Sequence, residues 1–153
     1  DSVENAFVVE NAVSALASLT LIGPAPLTNM KYLNKESILS TFLAQLPLRE
    51  DEAEAKICHS GLCDLIEHGQ IDLTAQAPTV LNLLGEILYY VEEGEELMDE
   101  VTLSRAGRIL GEMQRVVPGS VVQSAFSGMS EEAQQAVNAA LQQQHNRSAL
   151  VTP

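Results

Sequence analysis

The segment from Leu43 to Glu67 constrains the fold of this chain more than any other. It reads Leu43-Ala44-Gln45-Leu46-Pro47-Leu48, then the acidic Glu50-Asp51-Glu52-Ala53-Glu54, and closes on Leu62-Cys63-Asp64-Leu65-Ile66-Glu67. Pro47 has no amide hydrogen and its ring clashes with the preceding turn, so a helix reaching Leu46 must stop there. The carboxylates that follow favour the positive end of a new helix dipole. Cys58, Leu62, Leu65 and Ile66 then fall on one face of that second helix. The result is an αα-hairpin, which buries its apolar stripes only against further elements.

Similar punctuation divides the rest. Ser2 to Ile22 reads as helix with a break near Glu10, and Gly23-Pro24-Ala25-Pro26 stops it. Asn34 is placed to cap a helix from Lys35 to Leu46 with apolar Ile38, Leu39, Phe42, Leu43 and Leu46. The helix after Pro47 spans about Glu50 to His68, with Gly69 at the left-handed position beyond its end. Pro78 suits the first turn of a fourth helix, which runs to about Val91 through Leu81, Leu84, Ile87 and Leu88. A fifth covers about Asp99 to Val117 with Ile109, Leu110, Met113 and Val117 inward. Pro118-Gly119 breaks it, a short helix follows at Val121–Phe126, and Ser130 caps the last. Leu88–Val91 and Val121-Val122 are β-prone locally but embedded in helical spacing or too short. With aromatics at 4% and no tryptophan, the core must be aliphatic. The fold class expected is all-α.

Apolar helix centres near Leu16, Leu65 and Leu110 lie 49 and 45 residues apart, close to the roughly 40–47 of HEAT-type repeats. That spacing admits an α-α superhelix of three to four HEAT/ARM-like repeats, and equally a four-helix bundle with long loops. The ends differ. Ala133, Ala136, Val137, Ala140 and Leu141 form one stripe in Ser130–Gln144, which suits a terminal cap. Phe7-Val8-Val9 and Val13–Leu19 are apolar or small on several sides and call for neighbours on several sides. Phe7, Val8 or Val13 is therefore expected to be exposed, frayed or covered by another copy, as at the cut end of something longer. The repeats are expected over residues 1–144, with 145–153 a flexible tail.

Net charge is −13 with only eight Lys plus Arg. Such a field repels duplex nucleic acid and anionic membrane, and attracts basic partners. No apolar run of about 18 residues spans a bilayer. Cys58 and Cys63 lie five residues apart, roughly 140° around one helix, so they cannot pair within it. Free thiols fit a reducing compartment.

Chemistry-bearing patterns are sparse. His59, Cys63 and Glu67 stand at i, i+4, i+8, formally a metal-ligand spacing, but a zinc site needs a fourth ligand. Cys63 beside His59 lacks an orienting group and an oxyanion donor. No phosphate loop or paired catalytic carboxylate stands out. A non-enzymatic role is expected, with no cofactor and no metal. Glu92, Glu93, Glu95, Glu96, Asp99 and Glu100 surround Gly94 and read as a mobile acidic loop, unlike an EF-hand.

The wording of the chain from about Glu10 to Gln144 resembles the last HEAT repeats of the importin-β (karyopherin-β) superfamily, nearest to the importin-five type of nuclear import receptor. The resemblance rests on Glu10-Asn11-Ala12-Val13-Ser14-Ala15-Leu16, on Leu46-Pro47-Leu48 with its acidic sequel, on Leu62-Cys63-Asp64-Leu65-Ile66-Glu67, and on Ser130-Glu131-Glu132-Ala133-Gln134-Gln135-Ala136. Two departures are Phe42 and Ala44 where members of the family usually place a tryptophan, and a long insert from Gly23 to Lys31.

The resemblance implies a superhelical receptor that shuttles between cytoplasm and nucleus through the nuclear envelope. It carries basic cargo such as ribosomal proteins or histones and releases it to Ran-GTP. Contacts with Ran-GTP and FG nucleoporins would belong to the rest of the receptor. In such a stack the third and fifth helices line the concave surface. Asp64 and Glu67, with Glu50, Asp51 and Glu54 at the mouth, are then the candidate contacts for basic cargo. Exposed ion pairs contribute about 0.2–1 kcal/mol each, so five fall short of the roughly 8 kcal/mol of a micromolar complex. The alternative role is a stand-alone acidic helical adaptor or scaffold for a basic protein.

Overall fold

The computed structural model describes residues 8–15 and 35–150. Every regular element among the described residues is a helix, so the chain is all-α. Helix α1 covers residues 8–15, followed by α2 (Lys35–Gln45), α3 (Glu52–Glu67), α4 (Ala77–Glu92), α5 (Glu100–Val116), α6 (Gly119–Ser127) and α7 (Glu131–Leu150).

Local chemistry sets these boundaries. The Asp51 carboxylate caps α3, accepting from Ala53 N at 2.9 Å and Glu54 N at 3.2 Å. Asp99 caps α5 through Thr102 N at 2.7 Å, and Ser130 Oγ caps α7 through Ala133 N at 3.2 Å. Gly69, with φ +67°, takes the left-handed position after α3 that a side chain would resist. The Leu46–Pro47 bond after α2 is cis. Helix α1 continues through Glu10, where a break was expected. Helix α7 continues to Leu150, past Gln144 into the expected tail, because nothing from His145 to Ala149 interrupts a helix. The Gly23–Pro26 stop, the Asn34 cap, the Leu16 centre, Phe7 and residues 151–153 lie outside the described residues. Val8 is 69% exposed, whereas Val13 is buried in the chain's own core.

The apolar stripes read from the sequence face inward. Ile38, Phe42, Leu43, Leu46, Cys58, Leu62, Leu65, Ile66, Leu81, Leu84, Ile87, Leu88, Ile109, Leu110, Met113 and Val117 are all buried, while Leu39 packs at the margin. On α7, Ala133, Ala136 and Val137 are buried, and Ala140 and Leu141 partly so. Helix α5 packs on α3 and α7, and α4 packs on α6 and α7. At the α4–α7 crossing, Met129, Ala133 and Val137 fill the space a side chain at Gly85 would need.

Helices α3 and α5 run in the same direction. Lys56 meets Glu96 just before α5, Ser60 and Asp64 meet Arg105, and Glu67 meets Arg108. Helix α1 joins α3 likewise. Glu10 reaches the peptide N–H groups of Arg49, Glu50 and Asp51, and Ser14 bonds Cys58 four residues on. The side-chain bonds between α1 and the α2–α3 loop, and between the α2–α3 and α4–α5 regions, join residues 38 to 46 positions apart.

His59 ties these segments together at the core. Fully buried on α3, it donates from Nδ1 to Leu97 O (2.9 Å) and accepts at Nε2 from Leu48 N (3.3 Å). Those two bonds require the neutral ring with its proton on Nδ1. Burial lowers its pKa to about 4, against the smaller opposing effect of the Leu97 carbonyl. The unfolded chain takes up the proton first as pH falls, so this stability is present above the ordinary histidine range and lost below it. Urea stability should fall by about 2 kcal/mol between pH 7 and pH 5. His59→Asn should be less stable at pH 7 and should flatten that slope. Val in place of Gly85 should cost about 1–3 kcal/mol by overpacking the α4–α7 crossing, read by the same unfolding assay.

Candidate protein-interaction surface

The five carboxylates singled out in the sequence have distinct surroundings. Glu50 is exposed at the start of the segment. Asp51 is committed to the α3 cap, and its own N–H donates to Glu10 Oε2 at 2.8 Å. Glu54 is half-buried, with Oε2 enclosed and without a hydrogen-bond partner. Asp64 and Glu67 project from the outer side of α3, opposite the buried Leu62 and Leu65, as expected. Both are already engaged. Arg105 of α5 pairs with Asp64 through Nη2, and with Glu67 through Nε at 3.1 Å and Nη2 at 2.8 Å. It also donates to Ser60 Oγ at 3.1 Å. Arg108 approaches Glu67 to 3.7 Å.

Asp64 and Glu67 are therefore joints between α3 and α5, already paired with a cation of the chain itself. The Arg105 side chain is only 13% exposed, so its fork is held within the protein. Hydrogen bonding from Arg105 holds the Glu67 carboxyl below the usual carboxylate range, and the Arg105 guanidinium is correspondingly raised, first by Glu67.

The acidic loop after α4, expected to be mobile, has side chains paired with cations of the α2–α3 region. Gly94, with φ +99°, turns the chain. Glu95 then takes a two-pronged bond from Arg49, which also lies 3.5 Å over the Tyr90 ring. Glu96 accepts from Lys56 Nζ at 2.7 Å. Leu97 and Met98 are buried. The bond from Arg49 holds Glu95 below the ordinary carboxylate range, and that from Lys56 does the same for Glu96.

His59, Cys63 and Glu67 do not converge. Eight residues turn a helix by about 80° beyond two full turns, so His59 and Cys63 face the core while Glu67 faces Arg105. Among the described residues no group of three His, Cys, Asp or Glu is placed to hold a metal ion. Cys58 and Cys63 are both free and buried, and burial pushes them up to about 11 and about 12. Among the described residues no helix is long and apolar enough to cross a membrane.

Sequence reading missed Glu10, Arg105, Arg49 and Lys56. The first holds the peptide groups entering α3, and the others neutralise carboxylates 38 to 46 positions away. The signal available was the spacing itself, since Asp64 and Arg105 are 41 positions apart. Arg105→Met keeps the aliphatic stem but removes the fork, and should cost about 1–3 kcal/mol in urea unfolding. The loss should shrink between about 50 mM and about 500 mM salt, and Glu67→Gln should cost less in that background than alone.

Comparison of the chain with protein-family models, with curated proteins and with solved structures gives no match.

Proposed function

We propose that this chain is a run of three to four HEAT-type repeats, an α-α superhelix, from the C-terminal part of a nuclear import receptor. Such a receptor carries basic proteins through the nuclear pore and releases them to Ran-GTP. One observation carries the reading: helices α1, α3 and α5 follow one another in parallel, with partners 38 to 46 positions apart. That spacing coincides with the period of HEAT units, and parallel packing of alternate helices is how such units stack. In an up-and-down four-helix bundle, alternate helices stand diagonally across the core, and side-chain pairs as direct as Arg105 with Asp64 and Glu67 are not expected there.

The role follows from charge and shape. Net charge of −13 draws basic partners. Stacked repeats exchange strain only with nearest neighbours, so small rotations at each seam add to a large change in pitch. Cargo contacts on this segment rest on exposed acids such as Glu50, since Asp64 and Glu67 would first have to leave Arg105.

The experiment uses the full polypeptide that contains these residues, immobilised and offered a core histone with and without Ran-GTP. Capture that is lost on adding Ran-GTP supports the receptor reading. Capture indifferent to Ran-GTP would favour an acidic adaptor for basic proteins and overturn it.

A further inference from the structure

Two large apolar side chains stand in the open on the outward face shared by α3 and α5. Ile57 is 55% exposed and Val101 is 68% exposed. The parallel register places them at the same end of the two helices, because Lys56 pairs with Glu96 and senses Asp99 just before α5, while Ser60, three residues after Ile57, pairs with Arg105, four residues after Val101. Ile57, Ser60, Asp64 and Glu67 form one helical stripe, and Val101, Arg105 and Arg108 form the facing one. Downstream, this shared face is closed by the Arg105 and Arg108 ion pairs. Upstream it is apolar and rimmed by acid.

The rim decides what can cover it. Glu52, Glu96, Asp99 and Glu100 surround this end, with Lys56 as the cation among them, already bonded to Glu96. Four carboxylates against one ammonium repel nucleic acid and anionic lipid. They also oppose a second copy, whose matching patch would bring the same charges face to face. A basic segment carrying a bulky apolar residue meets both demands, its side chain covering Ile57 and Val101 and its lysines or arginines reaching Glu52, Glu96 and Glu100.

We infer that the upstream face of α3 and α5, centred on Ile57 and Val101, docks a basic peptide segment through an apolar anchor residue. This rests on the reading of the chain as a binder of basic proteins and adds the anchor requirement. Charge alone recruits any polycation weakly, whereas an apolar contact desolvated at the centre of a polar rim selects among them.

The test titrates the 153-residue chain with two fluorescent lysine-rich peptides of equal length and charge, one with leucines between the lysines and one with glycines. The leucine peptide should bind about tenfold more tightly, and amide shifts should map to residues 56–60 and 100–105. The double substitution Ile57→Ser/Val101→Ser lies on the surface, and its fold is checked by circular dichroism. It should reduce leucine-peptide affinity to that of the glycine peptide and leave the latter unchanged. Equal affinities for the two peptides, shifts elsewhere, or an unaltered leucine-peptide affinity in the double variant would overturn the assignment. So would concentration-dependent dimerisation that the double variant abolishes. None of these readouts involves Ran-GTP. Anchor-dependent binding with Ran-indifferent cargo capture keeps the docking face and removes the receptor reading. Equal peptide affinities with Ran-dependent release do the reverse.

Discussion

A helical protein must find partners for peptide groups in the loops between its helices, and here that demand falls on helix α3. The loop entering it carries the N–H groups of Leu48, Arg49, Glu50 and Asp51 into partly buried ground. His59 Nε2 accepts the first, and the two oxygens of Glu10 accept the other three. The loop entering α5 buries Leu97, whose carbonyl accepts the single ring N–H of His59, on Nδ1. One neutral imidazole thus fixes two loops that share no backbone bond with each other. An unpaired buried peptide group costs about 1–3 kcal/mol, so losing His59 exposes both loops to that penalty. Burial and function of the ring are consistent: only the uncharged form offers one donor and one acceptor.

Charge is distributed by the same economy. The chain has far more carboxylates than cations, yet Arg49, Lys56, Arg105 and Arg108 all pair across segments. Arg115, paired with Glu112 on its own helix, is the contrast. Cations spent on the seam between α3 and α5 leave the acids of the first turns unmatched, Glu52 and Glu100 among them. Internal pairing and an attractive outer field therefore come from the same arrangement.

Helix positions are legible in the sequence because their determinants are local. Pro47, Pro78, Pro118, Asp51, Asp99, Ser130 and Gly69 act within a turn of where they stand, and the aliphatic stripes report burial through a fixed angle per residue. Partners 40 or 41 positions apart are not legible in that way. Asp64 reads as a free carboxylate until Arg105 is known to lie beside it, and Glu95 and Glu96 read as a mobile loop until Arg49 and Lys56 are placed. His59 shows the same limit. On one helix it shares a ligand-like spacing with Cys63 and Glu67, but its partners lie in two flanking loops. An interval of 45 to 49 residues was visible in the apolar pattern. Applied to the charged residues as well, it would have pointed from Asp64 towards Arg105.

The seams between helices are not chemically equivalent. Where α4 meets α7, Gly85 admits Met129, Ala133 and Val137 into close contact. Dispersion there fades within about 1 Å of separation, so the crossing resists opening steeply. The outer part of the α3–α5 seam is charge and hydrogen bond, with Arg105 shared between Asp64 and Glu67. Coulomb attraction falls only inversely with distance, and a long side chain can follow either partner through a small rotation. Below it lie buried Leu62, Cys63, Ala106 and Ile109, which hold the pivot. For equal displacement, the charged outer layer between α3 and α5 weakens more gently than the apolar contacts at the α4–α7 crossing.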